Sequence, residues 1–216
     1  MEIAAFVDGL NLYHGMEAAN LLRYRWLDIT AMCKRLARTA GEKAGGIEFD
    51  LTQVVYCTSF VSEHAAQRRQ DIYLQALQFS QPPYFRTLLG KYELKTRPCT
   101  KCGELVGFQK EKRTDVNLAV EIVRAASADD RPDAILLVSG DTDLIPAIEA
   151  AQDYGLLTCV AAPPRRGLQH LNNVADVYLR VTAGHLKYSP LPDVVHNPDN
   201  GYPFRPPDGW PSPDSW

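Results

Sequence analysis

The chain has 216 residues, of which 45% are apolar and 23% charged. Those are the proportions of an ordinary globular domain, and they exclude a fibrous or wholly disordered chain. A net charge of −3 excludes a generally basic nucleic-acid binder, so any polyanionic partner must be held by local patches.

In chain order, Ile3–Val7 is a short apolar run stopped by Asp8-Gly9 and reads as a strand. A helical period follows at Ile29–Ala37, then a β-branched and aromatic strand at Leu51–Thr58 and a second helical period at Glu63–Phe79. After a basic stretch, Val116–Ala126 is helical, Ile135–Val138 is a strand closed by Ser139-Gly140, and Leu144–Tyr154 is helical. Pro146 falls in the first turn of that helix, where its missing N–H costs nothing. Leu156–Ala161 and Val177–Val181 complete the strands. Short apolar strands separated by amphipathic helices predict a three-layer α/β sandwich around a mostly parallel sheet.

The last 28 residues, from Ser189, hold 8 of the 15 prolines. Proline fixes φ and removes donors, so this segment is expected to be an irregular tail outside a 1–188 domain. It is expected to be dispensable for the fold, while its aromatics, Tyr202, Phe204, Trp210 and Trp216, suit docking on the body or homo-oligomer assembly. The opening MEIAAFVDG lacks a basic start, and no apolar run reaches the roughly 18 residues that cross a bilayer. The expected location is therefore cytoplasmic, where the five irregularly spaced cysteines stay reduced.

Three carboxylate positions occupy equivalent places in this layout. Asp8 follows the first strand, Asp141 and Asp143 follow Ile135–Val138 in SGDTD, and Asp115 opens the Val116 helix. Ligands of open α/β sheets bind beyond the carboxyl ends of the strands. Carboxylates gathered there repel one another unless a cation lies between them, and hard oxygen donors suit Mg²⁺ or Mn²⁺. Read singly, Asp8, Asp115 and Asp141 are ordinary helix caps, Asp143 a first-turn residue that favours the helix dipole, and Asn11 a capping or turn residue.

FVDGLNLY at 6–13, KRTDVNLAVEIV at 112–123 and SGDTDLIPAIEAAQDYG at 139–155 resemble the signatures of NYN-domain proteins. These are PIN-like nucleases that include the LabA-like group. The stretch GLLTCVAAPPRRGLQHLNNVADVYLRV is similar to the family's closing strand, helix and strand, so the resemblance covers roughly residues 1–183. It implies a PIN-like fold and a divalent-metal site for phosphodiester hydrolysis, usually of RNA. The family's metal carboxylates fall on Asp8, Asp115, Asp141 and Asp143, and its asparagine on Asn11. One departure is Arg113-Thr114, where relatives often carry Lys-Gly, which makes Asp115 the least secure ligand.

Between Arg86 and Arg113 there are eight Lys or Arg against three Glu, with Tyr84, Phe85, Tyr92 and Phe108 among or beside them. Cations for phosphates and aromatics for bases suit a single-stranded RNA track, and the alternative is a solvated hairpin. Lys91, Lys95, Arg97, Lys101, Lys112 and Arg113 are the RNA-binding candidates here, with Arg165 and Arg166 on a later loop. Arg23 and Arg25 belong to a second basic cluster, whose Lys34, Arg35 and Arg38 read as a wet helix face. Cys99 and Cys102 form a CxxC with the shape of a zinc half-site, but no second pair exists to complete it. A reducible disulfide and free thiols in a tight turn remain open. The expected function is a metal-dependent endoribonuclease using Mg²⁺ or Mn²⁺. The alternatives are a catalytically silent RNA-binding or protein-interaction module and a dehalogenase-like phosphatase.

Overall fold

The computed structural model describes residues 1–216 apart from Ser62, Cys99, Gly167 and Leu168 and the side chains of residues 92–95 and 108–111. The strands are β1 (Glu2–Asp8), β2 (Asp50–Thr58), β3 (Phe85–Leu89), β4 (Lys91–Pro98), β5 (Leu105–Lys112), β6 (Ala134–Val138), β7 (Leu157–Ala162), β8 (Val177–Arg180), β9 (Val195–His196) and β10 (Pro203–Phe204). The helices are α1 (Gly9–Ala18), α2 (Ile29–Lys43), α3 (His64–Ser80), α4 (Thr114–Ser127), α5 (Ile145–Asp153), α6 (Gln169–Val174) and α7 (Ala183–Lys187).

Six strands form one parallel sheet in the order β3-β2-β1-β6-β7-β8. Its central strands β1, β6 and β7 are buried on both faces, as the unbroken apolar runs required. Alternate residues point to opposite layers. Ile3, Ala5 and Val7 pack toward α1, α2 and α3, while Ala4 and Phe6 pack toward α4 and α5. The chain leaves β1 toward β2 and β3, then returns to β6 on its other side, so the order reverses between β1 and β6. That junction is where a doubly wound sheet opens a ligand crevice.

β4 and β5 stand apart as an antiparallel hairpin in which Lys91 pairs with Lys112. Each arm has eight residues, roughly 26 Å of extended chain. The hairpin begins after Gly90, whose N–H donates to the Thr58 carbonyl (2.8 Å) at the carboxyl end of β2. It ends at Arg113, which leads into α4, so the predicted basic insertion leaves the sheet at the rim that carries the carboxylates.

The tail docks on the body, one of the two roles its aromatics suited. Leu191, Val195 and Phe204 are buried in the core cluster, and the buried Trp26 donates its indole N–H to the Pro192 carbonyl (2.8 Å). Phe204 stacks on Phe79 with ring centroids 5.6 Å apart, and Trp210 lies 5.8 Å from Tyr73. Proline limits the segment to the short antiparallel pair β9–β10 and one closing turn but does not keep it out of the core, because apolar side chains gain by burial whatever the backbone conformation. No helix among the described residues is long and apolar enough to cross a membrane.

Candidate active site at the carboxyl ends of the strands

Asp8 ends β1 and caps α1. Its Oδ1 accepts from the Asn11 backbone N–H (2.9 Å), satisfying one of the orphan donors of a first helical turn. Its Oδ2 accepts from the Ser139 hydroxyl (3.0 Å), and that Oγ in turn accepts from the Asp141 N–H (3.1 Å). One buried serine therefore joins the ends of β1 and β6 across the junction where the strand order reverses. Asp141 caps the short turn that opens the next helix, accepting from the Asp143 N–H (2.9 Å). Asp8 is only 3% exposed, Asp115 and Asp141 are half-buried, and Asp143 is exposed.

Asn11 fastens the same loop from the other side. Its Oδ1 accepts from the Gly140 N–H (3.0 Å). A backbone N–H can only donate, so the side-chain oxygen must face it, and the amide NH₂ is left as a donor group. A Cβ at Gly140 would run into the Arg166 carbonyl, so only glycine lets the 163–166 loop close over this point. The exposed Arg166, and Arg165 with φ +60°, are thereby carried on a loop that packs against Gly140.

Asp115 lies in the first turn of α4. The preceding Thr114 is buried, with its Oγ1 3.2 Å from the Ser59 Oγ, so the larger side chain packs inward. Arg113 takes φ +82°, a left-handed conformation costing a non-glycine residue roughly 1–2 kcal/mol. Beneath the rim, burial pushes the Cys57 thiol up to about 12, with Asp8 and Glu121 adding to the effect, Arg86 opposing it and Asp115 raising it further. A thiol held protonated in this way is no nucleophile.

Other expected residues separate from this site. Arg86 does not join the basic track: it pairs with the buried Glu121, which also holds Arg124 (3.2 Å). Lys91, Arg97 and Lys101 are exposed on the hairpin, Lys112 is half-buried and Arg113 exposed at its base. The side chain of Lys95, with those of Tyr92, Phe108 and Lys110, lies outside the described residues, as does Cys99. Cys102 is an exposed free thiol 3.9 Å from Glu104 Oε2. Cys33, Cys57 and Cys159 are buried and free.

Among the described residues no three His, Cys, Asp or Glu side chains converge tightly enough to enclose a metal ion unaided. The donor set nevertheless suits one class of ion. Mg²⁺ keeps several waters and is commonly held by one or two carboxylates completed by substrate phosphates. Asp8 and Asp141, braced through one serine, offer hard oxygens of that kind.

Sequence reasoning missed Ser139 as a bridging residue. No local signal could have found it: Val7 and Val138 become register partners only when β1 pairs with β6, and that pairing places the next residues, Asp8 and Ser139, side by side.

A solved structure of a protein of unknown function, VPA0982, from Vibrio parahaemolyticus is similar to this chain. The TM-score is 0.51 at 20% identity, covering 84% of this chain and 93% of that one, a likeness of fold. A chain from a study described as "Structural Basis for the Mechanism and Regulation of Sir2 Enzymes" scores 0.36 at 12% identity, over 86% of this chain and 88% of that one, and carries no argument. A search of curated proteins returned no match. The family model for the NYN domain matches residues 2–182, nearly the whole sheet and every carboxylate discussed above. The chain therefore belongs to the NYN-domain family, within the PIN-like nuclease superfamily.

Proposed function

We propose that this protein is a metal-dependent endoribonuclease acting on single-stranded RNA. The observation that carries the proposal is the coupling of Asp8 to Asp141 through Ser139 at the junction between β1 and β6. Carboxylates from two strands are thus held close to one another and backed by helix-capping hydrogen bonds that fix their rotamers. In this reading Asp8, Asp141 and Asp143 hold Mg²⁺ or Mn²⁺, with Asp115 contributing directly or through water. When bound, the ion supplies Lewis-acid stabilisation of the phosphate and lowers the pKa of an attacking water.

The chain's own residues supply position. Ser139 and the Asn11 backbone N–H orient the two oxygens of Asp8. The Asn11 amide, turned by its bond from Gly140, is placed to donate to a phosphate oxygen. Arg165 and Arg166 on one side and the basic hairpin on the other offer cations for the flanking phosphates, at a rim that would otherwise repel them.

The test is Mn²⁺-dependent cleavage of a fluorescent single-stranded RNA. Internal products are expected, and they should vanish with chelator and in Asp8→Asn or Asp141→Asn protein. RNA binding without turnover at any metal concentration would assign the chain to a silent module. Turnover of p-nitrophenyl phosphate without RNA cleavage would assign it to phosphatase chemistry.

A further inference from the structure

Beside Gly9 the molecule has a cavity of about 220 Å³ between α1, α3 and the tail, which no residue of the proposed hydrolysis uses. Its walls include the aromatic rings of Tyr13, Tyr56, Tyr73 and Trp210, and two guanidinium groups, Arg25 and Arg69. Tyr56 packs directly beneath the start of α1, since a Cβ on Gly9 would lie 2.7 Å from its ring. The cavity therefore begins one residue from Asp8.

The two arginines are the unusual feature. Arg25 sits over the Trp210 ring, 4.7 Å from its centroid, and donates one Nη to the Gly209 carbonyl. Its buried Nε has no acceptor, and no carboxylate pairs with Arg25 or Arg69 among the described residues. Two half-buried cations facing an apolar-aromatic space without an anion are costly unless something supplies one. Burial, outweighing the opposing effect of Tyr13, holds the Arg25 pKa below its ordinary value, and Arg69 adds to the lowering, a penalty that an anion would relieve.

A nucleotide combines the two missing partners, a flat ring system for aromatic walls and a phosphate for guanidinium forks. We infer that this cavity is a subsite for one unpaired nucleotide of the RNA strand, its base among Tyr13, Tyr73 and Trp210 and its phosphate on Arg25 and Arg69. The inference rests on the nuclease reading for the identity of the strand. Trp210 comes from the tail, so the pocket is completed by a segment outside the residues 2–182 that match the family model.

The experiment measures binding of two fluorescent probes to the full chain in chelator, where nothing turns over. One probe is a uridine hexamer and the other the same ribose-phosphate hexamer without bases. Wild-type protein should favour the base-bearing probe by about ten-fold. Trp210→Ala should bring that ratio toward one. So should Tyr13→Ala, whose side chain is already 39% exposed and whose loss leaves the core intact. Arg25→Gln and Arg69→Gln should weaken both probes and each reduce the salt slope by about 0.7.

An unchanged ratio in folded Tyr13→Ala protein together with an unchanged slope in Arg25→Gln would overturn the inference, as would failure of wild-type protein to bind either hexamer. Uridine monophosphate competing as well as unlabelled hexamer would overturn the strand assignment in favour of a free nucleotide. Cleavage of ordinary RNA, followed in parallel with Mn²⁺, separates the two readings. Cleavage with pocket-independent binding sinks the subsite alone, whereas pocket-dependent binding without cleavage sinks the nuclease alone.

Discussion

The two rims of the central sheet both carry hydrogen-bonded aspartates, and the proposed function gives them different work. At the amino rim, Asp133 accepts from the Glu2 N–H (2.7 Å) and Asp176 accepts from the Thr158 N–H and hydroxyl (2.8 and 2.7 Å). Each braces one strand to its neighbour. At the carboxyl rim, Asp8 caps α1, Asp141 caps the short turn before α5, and the two are linked through Ser139, with Asp143 donating its N–H to Asp141. Hydrogen bonding does not separate a structural carboxylate from a functional one. In the proposed reading the difference is that Asp8 and Asp141 are linked through one serine, because paired negative charge is unfavourable until a cation joins it.

The strongest way to break this comparison is to exchange charge for shape at both rims. Asp141→Asn and Asp8→Asn should lower Mn²⁺-dependent RNA cleavage about 1,000-fold, roughly 4 kcal/mol. Thermal unfolding of Asp141→Asn should change little, since Asn and Asp cap helices about equally well, while Asp8→Asn should lose about 1 kcal/mol with the Ser139 bond that its second oxygen accepts. Asp176→Asn should do the reverse, keeping activity and losing about 1 kcal/mol of stability with its charge-assisted bonds. Equal activity in all three folded proteins would erase the distinction between the rims.

Removing the tail should produce the next largest effect. A chain ending at residue 188 loses Leu191, Val195 and Phe204, each contributing about 1.5–3 kcal/mol by burial, and leaves the Trp26 indole N–H without its acceptor. The sum rivals the whole stability of a typical domain, so cooperative unfolding in urea should be lost. A 1–188 chain that unfolds with the full-length midpoint would restore the tail as an accessory.

The hairpin sharpens the carboxyl rim as a place where anions are handled in both senses. Replacing Lys91, Arg97 and Lys101 together by Ala should flatten the salt dependence of single-strand binding by about two units of slope, with the catalytic constant less affected than affinity. An unchanged slope would move the track to Arg165 and Arg166.

The smallest effect concerns His185, away from both carboxylate groups. Its Nδ1 accepts from the Thr182 N–H (3.0 Å), so Nε2 carries the proton toward the Thr39 hydroxyl (3.2 Å). Burial, then the charge of Arg35, holds its pKa below the ordinary histidine value. The folded state thus prefers neutral imidazole. The associated stability is complete above the usual pKa near 6.5 and declines as pH falls from there toward the folded value. His185→Gln should show a shallower loss of melting temperature between neutral pH and pH 5 than wild type, and identical slopes would refute this.

Much of the fold was legible because the physics was local. Ile3–Val7, Ile135–Val138 and Leu156–Ala161 are apolar runs too short for helices and bounded by turn residues, and each became a buried strand of the sheet. β3 was not legible: Phe85–Leu89 alternates partly exposed residues at the sheet edge and runs into a basic stretch that masks its pattern. α1 was also missed as a separate element, since its two glycines and weak amphipathicity leave little periodic signal. The acidic positions could be placed at strand ends from spacing alone, but no periodicity reports which strands become neighbours.

What the sequence determined by itself was therefore the alternation of strands and helices, the family motifs and the identity of the carboxylates, because burial pattern and capping chemistry act over a few residues. Tertiary structure alone decided that Ser139 would bridge Asp8 to Asp141, that Arg86 would be spent on Glu121, and that a proline-rich tail would place Trp210 over Arg25. Those outcomes depend on contacts between residues 35 to 185 positions apart in the chain, where the order of strands and the docking of layers, not local preference, set which side chains meet.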